Sequence, residues 1–383
     1  MVAPMRIVIP EDTGRIEVVS AIAGSDTRLR IPGDQKAPDH RQWFCFEAHD
    51  CAGGEQVFLL ENAGDCTYAD AFEGYRACAS YDPEGADWFR VPTELDGDAL
   101  RIIHTPQSEV VRYAYFAPHP AARRAALIDA ARSSATASVR TLGTGTRGGS
   151  VDLLSFGSTD EGARKLWFIA QQHPGETMAG WFAEGLIWRL LDSDDAVAQN
   201  LLAHARVHVV CAMNPDGAAM GNHRTNAAGV DLNRCWWEAD SATSPEVLAV
   251  RTAMYEEGVD FLLDVHGDEH VPHVFVAGAE GNPGFDDRIE ALEEEFSNAM
   301  VTATCDFQTE EGYPKDAPGK GDLRTAGNYA GEAFGCLSLT LEMPFKDHNG
   351  APDEERGWSP ERSMNLAGAA LEAVASVLDV LRD

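Results

Sequence analysis

Positive charge is what this chain has least of. Lysine and arginine number 30 against 62 aspartates and glutamates, a formal charge of -32 over 383 residues. That deficit argues against a nucleic-acid backbone or an anionic membrane surface as partner and predicts a well-solvated acidic exterior. Long apolar runs are missing as well: none approaches the ~18 residues needed to cross a bilayer, so no membrane-spanning helix is expected. The opening stretch MVAPMRIVI is too short for the apolar core of a secretory leader, and Pro10-Glu-Asp follows where small residues would be needed for cleavage. No Cys-x-x-Cys pair occurs. The eight cysteines, Cys45, Cys51, Cys66, Cys78, Cys211, Cys235, Cys305 and Cys336, are scattered and several lie in apolar runs. They predict reduced, buried thiols in a cytoplasmic protein and argue against a cysteine zinc site.

What is present divides in two. A hydrophobic share of 44% fits a globular protein, and the length exceeds one average domain. Residues 1–120 read as short strands between Gly, Pro and Asp turns: Arg15–Ile22, Gln42–Glu47, Gln56–Leu60, Asp87–Val91, Leu100–His104 and Val110–Phe116. With no convincing helix between them, they predict an all-β antiparallel sandwich. His40, His49, His104 and His119 are too dispersed there to form a ligand set. Residues 121–383 alternate instead. Helices are expected at Ala121–Arg132, Thr177–Leu191, Glu246–Glu257, Asp286–Val301 and Pro360–Leu381. Strands are expected at Val151–Ser155, Lys165–Ala170, Arg206–Cys211, Val259–Val265 and Cys336–Leu341. The pattern predicts an α/β domain with a mixed central sheet and a site at the carboxyl ends of its strands.

Three polar groups stand where apolar strands stop. His173 follows the strand ending at Ala170, His266 the strand ending at Val265, and Glu342 the strand ending at Leu341. His173-Pro-Gly-Glu176 offers an imidazole and a carboxylate three residues apart at a helix start, where Pro174 suits an early helical position and Gly175 permits close backbone approach. Two histidines and a glutamate with an open fourth position form a ligand set of hydrolytic zinc. Asp264 is placed to hold the His266 ring from behind. His270 and His273 are rival ligands nearby. Between these points lie Asn214-Pro-Asp-Gly217, Gly221-Asn-His-Arg224 and Gly229-Val-Asp-Leu-Asn-Arg234, a Gly-rich stretch whose arginines and asparagine can converge on a carboxylate.

In that order, with Asp-x-His-Gly and Leu-Glu-Met-Pro-Phe, these motifs resemble the M14 zinc carboxypeptidases over residues 120–383. The strand-rich leading region and Tyr113-Ala-Tyr-Phe-Ala-Pro118 resemble the cytosolic carboxypeptidase branch, in its bacterial form. The resemblance implies that His173, Glu176 and His266 bind Zn²⁺, that Glu342 is the general base and that Arg224 polarises the scissile carbonyl. Asn233 and Arg234 would hold the terminal carboxylate of a peptide or protein substrate. Some members of the branch remove C-terminal glutamates using basic pocket residues. Lys320 and Arg324 match that segment and imply a preference for acidic C-termini. The family's substrate-covering tyrosine is either Tyr313 or Tyr329. Related folds deacylate N-acyl amino acids or cut D-glutamyl bonds in cell-wall peptides, which is the alternative activity, and a catalytically inactive binding module is a third reading. The oligomeric state is open.

Overall fold

The structure is a computed structural model that describes residues 5–21, 26–82 and 84–382. Its leading region holds two five-stranded sheets. One runs Arg6–Val8, Cys45–His49, Val110–Ala114, Cys78–Ser80, Phe89–Arg90; the other Glu17–Ser20, Thr27–Arg30, Gln56–Leu60, Ala99–His104, Thr93–Asp96. Aromatic rings fill the space between them: Phe46 lies 5.2 Å from Phe58 of the other sheet, and Tyr113 lies 4.8 Å from Phe58. All pairings are antiparallel except Thr27–Arg30 with Gln56–Leu60, which is parallel. The expected strand Arg15–Ile22 is shorter, Glu17–Ser20, and Ile22 lies outside the described residues.

The second region is built on a seven-stranded mixed sheet in the order Ala137–Thr144, Ser150–Gly157, Ala205–Val210, Arg164–Ala170, Phe261–Asp268, Leu337–Pro344, Phe275–Ala277. The four strands from Ala205–Val210 to Leu337–Pro344 are parallel, and the outer three pair antiparallel. Parallel strands buried on both faces are apolar at nearly every position, and Leu166–Ala170 obeys this. Its Leu166 and Phe168 pack beneath the helices Thr177–Leu191, Asp287–Ala303 and Pro360–Val377, while Trp167 and Ile169 pack beneath Pro245–Glu257 and Ala326–Phe334. The helices Ala196–His204 and Ala326–Phe334 and the edge strands Ala137–Thr144 and Phe275–Ala277 go beyond the sequence expectation.

The closing helix, continued to Val380, has the length and apolar composition that could cross a membrane, but 61% of its apolar window is buried inside the protein, as in a core helix of a globular fold. Six cysteines are buried and none is bonded, but Cys235 is half-buried and Cys305 is exposed. The two regions share one core. Tyr115 stacks on Phe345 at 4.7 Å, and Arg90 donates to the Phe345 and Trp358 carbonyls at 2.8 and 3.0 Å.

Candidate metal centre and cleft

The strand Arg164–Ala170 leads into the turn that carries the first two candidate ligands. Buried Gln171 adopts a left-handed φ of 55°, which a residue with a β-carbon disfavours, and the chain reverses there. The helix begins only at Thr177, so His173 and Glu176 sit on the turn ahead of it and Pro174 is not in the first helical turn as expected. Gly175 is required: a β-carbon would lie 2.4 Å from His223 Nδ1. Glu176 occupies the N-cap position but caps nothing. Its carboxylate turns to the histidines, with Oε1 2.6 Å from His173 Nδ1 and Oε2 2.7 Å from His266 Nδ1.

The other ring nitrogens are held from outside. His173 Nε2 lies 3.1 Å from Asp231 Oδ1, and His266 Nε2 lies 2.9 Å from Asp264 Oδ2. A neutral imidazole carries one N–H. A carboxylate on the outer nitrogen keeps the proton there, so both Nδ1 atoms turn lone pairs inward, 3.2 Å apart and facing the Glu176 carboxylate. These groups lack the protons to satisfy one another and are buried, with all ligand atoms within 4.8 Å. The arrangement fits a divalent cation of the zinc type. Burial raises the proton affinity of Glu176, but His173 and His266 in their protonated forms outweigh it and hold its pKa well below the usual carboxylate range. The rival histidines stay apart: His270 pairs with Asp70 at 2.9 Å, and His273 packs on His348.

Glu342 is the register partner of His266 on the adjacent parallel strand. Burial, reinforced by the charges of Glu176 and Asp268 and opposed by His266, raises its pKa well above the ordinary value. Its Oε2 is buried without a partner among the described residues, and Oε1 lies 3.1 Å from the Tyr313 hydroxyl, which is also 2.7 Å from Asp268 Oδ2. Of the two candidate tyrosines, only Tyr313 lines the cleft. Tyr329 packs between Trp236 and Trp237 and meets the Tyr255 hydroxyl at 3.0 Å.

Tyr313 and Glu342 share a cavity of about 990 Å³ with Arg224, Asn233, Arg234 and the three candidate ligands. Arg224 donates from Nε to Asp231 Oδ2 at 2.8 Å and from Nη1 to the Tyr68 hydroxyl at 3.2 Å. Asn233 accepts from the Ala326 N–H at 2.8 Å, and Arg234 Nη1 donates to the Asn233 carbonyl at 2.7 Å. Asn214 is structural: it caps Pro215–Ala219 and donates to the Gln172 carbonyl at 3.0 Å, bracing the ligand turn. Lys320 and Arg324 stand apart from these groups. Neither lines the cavity, and the exposed Arg324 guanidinium is taken up by Asp322, two residues away, through two 2.8 Å bonds.

Asp231 lies within the motif Gly229–Arg234 but has no role that sequence alone assigns; its link to both His173 and Arg224 depends on the fold. Tyr68 carries no sequence signal at all.

Known proteins resemble this chain over both regions. The family described as cytosolic carboxypeptidase N-terminal domain matches residues 9–116, and the family described as zinc carboxypeptidase matches residues 125–363. An uncharacterized protein of Zymomonas mobilis is 42% identical over 97% of this chain and 96% of its own length. A metallo-carboxypeptidase from Burkholderia cenocepacia is 44% identical, with a TM-score of 0.94 over 98% of this chain and 100% of that one. The same figures hold for a Pseudomonas aeruginosa metallo-carboxypeptidase, solved in complex with (2-guanidinoethylmercapto)succinic acid.

Proposed function

This chain belongs to the zinc carboxypeptidase family, and we propose that it removes the C-terminal residue of peptides or proteins. The observation that carries this reading is one cavity bounded by His173, Glu176 and His266, by Glu342, and by Arg224, Asn233 and Arg234. We divide the chain into an N-terminal β domain, residues 1–120, and a catalytic domain, residues 121–383, and place its work in the cytoplasm.

Zinc, when held by His173, Glu176 and His266, supplies a Lewis acid that activates water and polarises a carbonyl. Glu342, with a free buried oxygen and a raised pKa, accepts the proton of the attacking water and returns it to the leaving amine. Arg224, braced through Nε by Asp231, presents its remaining N–H groups to the developing oxyanion. Asn233 and Arg234 hold the terminal carboxylate, which restricts cleavage to chain ends. Tyr313 bounds the cleft beside Glu342.

A preference for acidic C-termini rested on Lys320 and Arg324, and the cavity lining gives it no support. Among the described residues, nine carboxylates besides Glu176 and Glu342 line the cavity, against Arg224, Arg234 and Lys315. Lys315 is itself paired with Glu280 at 2.7 Å. Such walls favour a cationic terminal side chain. The compound bound by the Pseudomonas aeruginosa protein, a succinic acid with a guanidino arm, has matching chemistry.

A panel of zinc-loaded assays on peptides ending in Lys, Arg, Phe or Glu tests the function. Free terminal amino acid should be released, and a zinc chelator should abolish release. Equal cleavage of peptides with an amidated C-terminus would overturn the exopeptidase reading.

A further inference from the structure

We infer that the N-terminal domain completes the active site, with Asp34 as a positioning residue for Arg224 and Tyr68 as a brace for its guanidinium. The inference rests on the role proposed for Arg224. Asp34 is 3% exposed and spends both carboxylate oxygens on a loop about half the chain away. Oδ1 accepts the His223 N–H at 2.6 Å. Oδ2 accepts the Arg224 N–H at 3.0 Å, the Thr225 N–H at 2.7 Å and the Thr225 hydroxyl at 2.8 Å. Three successive backbone N–H groups thus converge on one carboxylate, an arrangement that stabilises a particular loop conformation by charge-assisted bonds.

The same loop meets the N-terminal domain at two glycines. Gly221 has φ 64°, and a β-carbon there would lie 3.0 Å from the Gly14 carbonyl oxygen. Gly229 has φ 86°, and a β-carbon there would lie 2.9 Å from Lys36 Cβ. The loop therefore follows the surface of residues 13–15 and 34–36, and its conformation is not set by the catalytic sheet alone. From this loop Arg224 extends a side chain 13% exposed, whose Nη1 bonds the Tyr68 hydroxyl at the cavity wall. Gln42 holds Tyr68 in turn, accepting its N–H at 3.1 Å and donating to its carbonyl at 3.3 Å. Asp231, on the far side of the guanidinium, completes the cradle.

An oxyanion donor is effective only when held at its working position before the reaction. Asp34→Asn places an amide N–H against a backbone donor and should loosen Arg224. The expected result is a kcat lower by about 10-fold to 100-fold, with KM changed by less than about 3-fold and zinc content unchanged. Tyr68→Phe removes only the hydroxyl and should lower kcat by about 3-fold to 10-fold.

A double-mutant cycle separates positioning from general damage to the fold. In an Arg224→Ala background, both substitutions should change kcat by less than about 2-fold. Full multiplication of their effects with Arg224→Ala, or wild-type kcat in both single variants, overturns the inference. If Asp34→Asn does not fold, the Tyr68→Phe cycle decides by the same criteria. Wild-type kcat in Arg224→Ala alone would instead remove the proposed role of Arg224, a failure distinct from that of Asp34.

Discussion

Asp231→Asn tests whether the metal ligands depend on what stands behind them. Asp231 Oδ1 faces His173 Nε2 at 3.1 Å and the Asn233 N–H at 2.9 Å, while Oδ2 receives Arg224 Nε at 2.8 Å. An asparagine has a single acceptor oxygen, so its NH₂ must face one of these donors. Arginine does not give up its proton, but the imidazole proton can move. The amide oxygen will stay on Arg224 and the NH₂ will meet His173 Nε2, driving the histidine proton to Nδ1, where a metal has to bind. Loss of a carboxylate behind a ligand histidine costs about 10-fold to 100-fold in metal affinity, or about 1.4–2.7 kcal/mol. The Asn233 N–H also loses its acceptor, so terminal-carboxylate binding should weaken, raising KM at saturating zinc. Competition with a fluorescent zinc chelator gives the affinity directly. Asp264→Asn provides the matching perturbation at His266. Wild-type zinc affinity in Asp231→Asn would refute the argument that the outer carboxylates set the tautomers of this site.

Three further outcomes are expected. Glu342→Gln keeps the shape of the side chain but removes its basicity, and should lower kcat by about 10²-fold to 10⁴-fold with zinc retained; metal analysis alongside steady-state kinetics checks both halves. Glu293 has its pKa pushed up to about 7 by burial and by Glu280, against the pull of Lys315. Glu293→Gln should therefore lower kcat/KM for Lys-ending over Glu-ending peptides, chiefly above pH 7 where the wild-type carboxylate is charged. An unchanged ratio would separate this wall from specificity. Away from the cleft, burial opposes ionisation of Glu184, but His119 and Arg123 outweigh it and bring the pKa down to about 2. Because that folded value is depressed, its contribution to stability is present above the unfolded value of about 4.3 and is lost as pH falls towards 2. Urea midpoints measured across that range should fall less steeply in Glu184→Gln than in wild type.

How much of this was legible in the sequence depended on which atoms carry each interaction. The three strand-end groups were readable because an apolar run followed by His or Glu is a local pattern, and parallel strands bring their carboxyl ends together. The register that sets Glu342 beside His266 follows from the same geometry. Helices with a clear period, such as Thr177–Leu191, matched to the residue, whereas the short edge strand Phe275–Ala277 and the nine-residue helix Ala326–Phe334 did not announce themselves. A basic motif does not say where its charge goes: Asp322 is near enough to Arg324 to take up its guanidinium outright. Asp34 shows the limit most clearly. Three of its four donors are backbone N–H groups, which every residue except proline possesses, so no side chain in the loop His223–Thr225 records the pairing beyond the Thr225 hydroxyl. A carboxylate that recognises a backbone shape leaves its trace in the glycines flanking that shape, and Gly221 and Gly229 are where it can be read once the fold is known.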